Sequence, residues 1–212
     1  MEVSVRKILP FLKTGNVSPC ERTSAMINEI ISEFNANISP KSVYKIFDCR
    51  VSLTEVEINC LTINSKNLAG HLTNCRSIAL FAATLGAAAD IIIRRYSVQD
   101  MEKALVAQAV SSAMIETYCD ETEKEIAQIN ELKELNPVSR FSPGYGDFDI
   151  SFQKDFLNIL NGSRIGLSLT DAFMLTPVKS VTAVIGFSEE KREMAGKCVL
   201  CADKGCSFRE AM

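Results

Sequence analysis

The chain has 212 residues, of which 47% are hydrophobic and 23% are charged, and its formal net charge is −3. This length and composition are typical of one globular domain that can bury its own core. The acidic balance leaves no basic surplus to neutralise a phosphate backbone, so nucleic acid is not an expected partner.

The amino terminus and the most apolar run give no sign of export or membrane insertion. The segment from Met1 to Lys7 lacks the apolar stretch and small-residue cleavage site of a secretory signal. The run over 78–93 is short for a membrane span and contains Asp90. We therefore expect a cytoplasmic protein with no membrane partner, in which the eight cysteines are reduced thiols.

The first third of the chain predicts a helix and a pair of strands. A helix is expected to begin at Ser18-Pro19, where the serine caps and the proline occupies the first helical position. Residues 43–51 and 56–63 alternate loosely between apolar and polar side chains, which predicts an antiparallel pair. A short helix is predicted over 64–72.

The remainder of the chain mixes strands with helices. Residues 77–85 predict an inner strand, and a helix follows it. The longest helix is predicted from Ser97 to about Leu135 by its apolar face. A helix over 152–160 and two or three strands within 165–187 complete the pattern. Because strands and helices do not alternate regularly, we predict an α+β fold with a largely antiparallel twisted sheet packed with helices.

A turn-rich segment lies between the two last predicted helices. Pro143-Gly144 favours a turn with a positive backbone dihedral at the glycine, with Arg140 before the turn and Tyr145 after it. An arginine beside exposed backbone amides suits a carboxylate ligand, and the tyrosine offers a flat face and a hydroxyl. The alternative is a surface turn with solvated side chains.

The longest helix carries carboxylates that could serve the same site. Glu116 and Asp120 lie one helical turn apart and share a face. Glu134 lies near the start of the turn-rich segment. Carboxylates beside an amino-acid site would pair with the ligand's ammonium group. The alternative is an ordinary solvated helix face.

The end of the chain contains a cysteine cluster. Cys198, Cys201 and Cys206 have a spacing that can surround zinc or an iron–sulfur cluster. No histidine is present in this segment, so a fourth ligand would have to come from elsewhere. Free or redox-active thiols are the alternative. We therefore divide the chain into a domain over 1–196 and a cysteine-containing tail over 197–212.

Two motifs resemble a known family. Arg140-x-x-x-Gly144-Tyr145 resembles the signature turn of the reactivation domain of cobalamin-dependent methionine synthase, in its stand-alone form. Downstream, 165–182 resembles the family's run of Leu-Thr, an acidic residue, proline and Ser-Val. The resemblance departs after the tyrosine, where the family commonly has a proline and this chain has Gly146.

The resemblance continues upstream of the turn. Glu116 matches a ligand-facing glutamate on a helix of the family, and Glu134 stands six residues before Arg140, as it does in the family. The similarity covers roughly 97–187. It implies the fold of the methionine synthase activation domain.

The resemblance also implies a function. The family's domain binds S-adenosylmethionine over the corrin ring of cobalamin. An electron from a flavodoxin-like donor and a methyl group from S-adenosylmethionine then restore the inactive cofactor. By position, Arg140 would hold the ligand's carboxylate, Glu116 and Glu134 would face its ammonium or sulfonium side, and the turn over 143–145 would shape the pocket.

The corrinoid is expected on another protein. Cobalamin modules of this kind carry an Asp-x-His-x-x-Gly motif, whereas the only histidine here, His71, follows Ala69-Gly70. The expected partner is a cobalamin-binding methionine synthase or another corrinoid protein. Two alternatives remain: a module that docks on a corrinoid protein without binding S-adenosylmethionine, and a metal-thiolate protein built on the C-terminal cysteines.

Overall fold

The computed structural model describes residues 1–12, 19–58, 61–129, 132 and 134–190. Helices and strands alternate irregularly along these ranges. In chain order they are α1 (Val5–Leu12), α2 (Glu21–Asn37), β1 (Lys41–Val51), β2 (Glu55–Ile58), β3 (Leu61–Asn64), α3 (Lys66–His71), β4 (Cys75–Thr84), α4 (Ala87–Gln99), α5 (Met101–Ala127), β5 (Asn136–Phe141), α6 (Phe152–Leu160), a 3-10 helix (Gly162–Ile165), β6 (Ser168–Leu169), β7 (Leu175–Thr176) and β8 (Ser180–Ser188).

Six of the strands form one sheet in the order β3-β2-β1-β4-β8-β5, and every neighbouring pair in it is antiparallel. Strands β6 and β7 form a separate two-stranded sheet. The predicted α+β class with an antiparallel sheet is confirmed. The order leaves β5 at an edge of the large sheet.

Strand β4 lies inside the sheet because both of its faces are apolar. Successive side chains of a strand point to opposite faces, so alternate residues enter different layers. One set packs with the helices of the first layer: Ala79, Phe81 and Ala83. The other set packs with the opposite layer: Ile78, Leu80 and Ala82. The prediction of an inner strand is confirmed.

Helices cover both faces of the sheet, and each face has its own apolar core. Helices α1, α2, α4 and α5 supply the first core, which includes Phe34 and Met114. Helices α3 and α6 supply the second, which includes Leu68 and Phe156. No helix within the described ranges combines the length and apolar character that a membrane crossing requires.

The predicted strand pair and the short helices are confirmed with adjusted bounds. Strands β1 and β2 pair antiparallel, with Cys49 opposite Ile58, and β2 in turn pairs with β3. The predicted second strand is therefore two short strands. Helix α6 ends as expected at Asn161, which has a left-handed backbone with φ of 57°.

Two predicted helix starts are wrong. Helix α2 begins at Glu21 after the N-cap Cys20, so Pro19 precedes the helix. Ser18, the predicted cap, lies outside the described residues. Similarly, Ser97 belongs to α4, where its hydroxyl donates to a backbone carbonyl one turn earlier.

The N-cap of α5 is Asp100, whose carboxylate accepts hydrogen bonds from the backbone of Glu102 and Lys103. The helix ends at Ala127 and does not extend to Leu135 as predicted.

Candidate functional site

Arg140 connects the edge strand β5 to helix α5. Its guanidinium donates to Asp120 at 2.9 Å and also binds Glu123 and Glu116. The arginine side chain is only 6% exposed, whereas those of Glu116, Asp120 and Glu123 are 46%, 38% and 21% exposed. A buried cation thus lies beneath partly solvated carboxylates.

The helical repeat explains why three carboxylates meet one arginine. Glu116, Asp120 and Glu123 follow one another at intervals of four and three residues, which places them on one face of α5. Lys7 of α1 adds a second cation, since its ammonium lies 3.2 Å from Asp120. We call these five residues the Arg140 cluster. Two cations face three carboxylates, so the cluster has one net negative charge.

The guanidinium of Arg140 stays protonated around neutral pH. Burial lowers the pKa of Arg140, but attraction by Glu123 and Glu116 outweighs burial and raises it above the ordinary range. Cys119 is fully buried beside the cluster, and burial raises the pKa of its thiol to about 12. Cys119 is therefore a neutral thiol and no nucleophile.

The predicted turn follows directly after β5. Gly144 has φ of 94°, as the sequence predicts, and its N–H donates to the Phe148 carbonyl at 2.7 Å. Pro143 is buried. Tyr145 is 67% exposed, and its ring lies edge-on to Phe141 with 6.5 Å between centroids. The tyrosine ring is thus presented to solvent on an ordered loop.

The loop after Tyr145 is attached to helix α3. The carboxylate of Asp147 accepts hydrogen bonds from the Ser65 hydroxyl at 2.5 Å and from the N–H groups of Lys66 and Asn67 at 2.8 and 3.1 Å. These contacts satisfy free donors at the start of α3. The turn therefore packs toward the α3 side of the sheet, while the Arg140 side chain points to the α5 side.

A shallow depression of about 410 Å³ accompanies this loop. Its lining comes entirely from the loop: Gly144, Gly146, Asp147, Phe148, Asp149 and Ile150. The phenylalanine in the lining is buried and packs between Phe141 and Phe156, so the floor of the depression belongs to the second core.

The structure brings some of the predicted site residues together and leaves one apart. Arg140 and Glu116 are in direct contact. Glu134 is exposed before β5, and no ion pair within the described residues joins it to the cluster. Sequence reasoning missed Glu123 and Lys7. The spacing of Glu123 from Glu116 is a signal that it shares the face, whereas Lys7 comes from another helix and has no such signal.

His71 has a structural role at the same edge. Its Nε2 lies 2.5 Å from the carbonyl of Ser139, and its ring centroid lies 5.1 Å from that of Phe141. The end of α3 is thereby connected to β5, which carries Arg140.

The predicted cysteine site belongs to the C-terminal tail of the chain. Cys198, Cys201 and Cys206 lie outside the described residues. Across the ranges that the structure describes, no group of three or more histidine, cysteine, aspartate or glutamate side chains could hold a metal ion. The metal site at the tail stays a prediction from sequence.

Comparisons with known proteins show the fold. No family model matches the sequence, and no curated protein matches it. The structure is similar to the crystal structure of the MetH reactivation domain bound to AdoHcy, with a TM-score of 0.64 and 14% identical residues. The match covers 91% of this chain and 72% of that one. The chain therefore has the reactivation-domain fold that the sequence motifs implied.

Proposed function

We propose that this protein binds S-adenosylmethionine and supports the reductive remethylation of cobalamin carried by a separate methionine synthase or corrinoid methyltransferase subunit. The observation that supports the proposal is the Arg140 cluster, an ordered ionic site at the sheet edge of a chain with this fold. A flavodoxin-like protein is the proposed electron donor.

The net charge of the cluster suits this ligand. S-adenosylmethionine has a sulfonium, which is a fixed cation, and an ammonium group. The cluster has one net negative charge, which attracts a cationic ligand. Its carboxylates are partly exposed, so the ligand can reach them without a rearrangement of the protein. Glu116 is the most exposed of the three and is our choice for the ammonium contact. Glu134, exposed before β5, is proposed to face the sulfonium side.

The role of Arg140 is constrained by its neighbours. Family resemblance assigns the ligand's carboxylate to this arginine, but three side-chain carboxylates already bind the guanidinium. A ligand carboxylate could therefore reach Arg140 only by displacing one of them. Arg140 in any case holds Glu116 in a fixed position, and ligand binding is expected to require it.

The turn is proposed to receive the adenosyl part. Tyr145 presents an exposed ring that can stack on a purine, and the depression beside Gly144 is open to solvent. A shallow site at an edge leaves the methyl group accessible to a corrin ring brought by the partner. The methyl transfer itself belongs to S-adenosylmethionine and cobalamin, and this chain contributes binding and orientation.

Calorimetric titration of S-adenosylmethionine into the purified protein tests the proposal. The native protein is expected to show saturable binding, and Arg140→Ala is expected to weaken it by roughly tenfold or more, which corresponds to about 1.4 kcal/mol. Arg140→Lys retains the charge without the planar fork and should give an intermediate loss. Arg22→Ala removes an exposed arginine that pairs with Glu102 at 2.6 Å and serves as the matched control.

The outcomes separate the candidate functions. No binding by the native protein would contradict the proposal. If the protein then still bound a corrinoid protein, with equal affinity for native and Arg140→Ala chains, the docking role would be supported in its place.

A further inference from the structure

Lys179 is a half-buried cation to which the proposed function assigns no role. Its ammonium donates to the Ser112 hydroxyl at 2.9 Å and approaches the Gln108 carbonyl at 3.5 Å. No salt bridge to Lys179 is formed within the described residues. Neutral oxygens of α5 therefore hold an ammonium group that has no carboxylate partner there.

The backbone around Lys179 is fixed on both sides. The N–H of Val178 donates to Asp90 of α4 at 2.9 Å, and the Lys179 carbonyl accepts from Leu85 at 3.0 Å. The hydroxyl of Ser180 donates to that of Thr84 at 2.8 Å. The segment before β8 is thus attached to α4 and to the end of β4, and the lysine is presented from a rigid frame.

The contacts of Lys179 and those of Arg140 follow each other along helix α5. Ser112, its hydrogen-bond partner, precedes Glu116 by four residues, so the two side chains are neighbours on one face. Along this face Ser112, which holds Lys179, is followed one turn later by Glu116, which binds Arg140. Of the two cations, only Arg140 is bound by several carboxylates among the described residues.

We propose that Lys179 binds the carboxylate of the ligand's amino-acid group while Glu116 binds its ammonium. This inference rests on the proposed S-adenosylmethionine site and assigns its anion-binding residue. An amino acid carries its two charges on one carbon and therefore needs a cation and an anion side by side. Lys179 and Glu116 supply that pair without displacing any side chain.

The alternative anchor, Arg140, is electrostatically less suitable. A ligand carboxylate arriving there would meet the negative charges of Glu116, Asp120 and Glu123. Lys179 has three N–H donors, and its contacts with the described residues use two of them at most. Burial lowers the pKa of Lys179, and Asp90 only partly opposes this, so an arriving carboxylate stabilises the charged form.

Two probes separate the contacts of the amino-acid group from those of the adenosyl part of the ligand. S-adenosylmethionine carries the amino-acid group, whereas 5′-methylthioadenosine lacks it. Titrated into Lys179→Met, S-adenosylmethionine is expected to bind roughly tenfold more weakly or worse, since one charge-assisted contact is lost. The affinity for 5′-methylthioadenosine is expected to be unchanged. Lys124→Met, which replaces an exposed lysine of the same helix, is the matched control.

Each outcome decides the inference. If native protein binds S-adenosylmethionine and Lys179→Met binds it equally well, Lys179 is not the anchor, although the proposed function stands. An equal loss for both probes indicates a structural role and also overturns the inference. No binding by native protein overturns both proposals. If Lys179→Met does not fold, Lys179→Gln, which keeps a donor for Ser112, is compared with Lys179→Arg, which should retain affinity within a few-fold.

Discussion

Gly146 explains a departure from the family at the level of one residue. Its φ is 57°, and a Cβ at this position would lie 2.0 Å from the Asn67 side-chain nitrogen. The family commonly has proline here, but the proline ring fixes φ near about −65°. The path of this loop, which brings Asp147 to α3, therefore excludes proline and favours glycine.

Gly146→Ala is expected to destabilise the protein by roughly 1–3 kcal/mol, because alanine resists the left-handed backbone and contacts Asn67. Urea unfolding followed by circular dichroism measures the effect. Gly70→Ala is the control, because Gly70 lies in α3 with open space around its Cβ position. That change should be neutral or stabilising by up to about 1 kcal/mol. Equal effects of the two substitutions would contradict the role given to the backbone of Gly146.

The site residues show how far single positions can be predicted. Spacing and resemblance predict Arg140 and Glu116 as site residues, and the two side chains are in contact. The sequence did not indicate that Arg140 binds carboxylates of its own chain, because that pairing depends on how β5 packs against α5. Lys7 and Lys179 were missed for the same reason, since they come from segments distant in sequence.

At the scale of elements, most segments were predicted, and their ends were less accurate. Helices α4 and α5 follow each other with only Asp100 between them, so their apolar repeats run together and obscure the boundary. The serine at 97 and the aspartate at 100 are both good N-cap residues, and only the extended backbone of Asp100, with φ of −157°, decides between them. The end of α5 at Ala127 had no glycine or proline to mark it.

Helix α3 depends on a cap from a distant loop. Its six residues are too few to be stable alone, and Asp147 satisfies donors at its start. The hydrogen bond from the Ser65 hydroxyl makes the largest contribution to lowering the pKa of Asp147 below its ordinary value of 3.8. Backbone hydrogen bonds from Lys66 and Asn67 also lower this pKa, whereas burial raises it. Because the folded-state pKa is lowered, the carboxylate stabilises the protein at pH values above the unfolded-state pKa. The protein loses this stabilisation as the pH falls through the folded-state pKa.

Asp147→Asn is therefore expected to lower the urea midpoint at pH 7, because the amide group places donors opposite the N–H groups of α3. The difference from the native protein should shrink as the pH falls below about 4, where the unfolded chain begins to take up the proton, and should continue to shrink as the pH approaches the lower folded-state pKa. Asp48→Asn, at an exposed position of β1, is the control for the loss of a surface carboxylate. A difference that stayed constant from pH 7 to pH 3 would show that the charge of Asp147 is not what stabilises α3.

At the scale of the whole molecule, the sheet edge joins the two halves of the proposed site. The Arg140 cluster belongs to the α5 side and the Tyr145 loop to the α3 side, and β5 connects them. The fold class was predictable because each segment carried its own periodicity. The assignment of helices to two faces was not, since it depends on which alternate residues of β4 and β8 meet which helix.

The division into a domain over 1–196 and a tail over 197–212 leads to a prediction for the complete chain. Every residue assigned to the ligand lies within the described part of the proposed domain. A chain that ends at residue 196 is therefore expected to retain the thermal midpoint and the S-adenosylmethionine affinity of the full chain. Differential scanning calorimetry and titration of the two chains measure this.

The same pair of chains tests the predicted metal site. Elemental analysis of the full chain should find zinc or iron, and the shortened chain and Cys201→Ser should lose it, because thiolates are the expected ligands. Cys20→Ser replaces an exposed cysteine of the domain and should leave the metal content unchanged. If the shortened chain lost S-adenosylmethionine binding while Cys201→Ser kept it, the tail would contribute to the ligand site by contacts other than metal. If both changes abolished binding, the metal would be part of the ligand site, and the proposed boundary between domain and tail would be wrong.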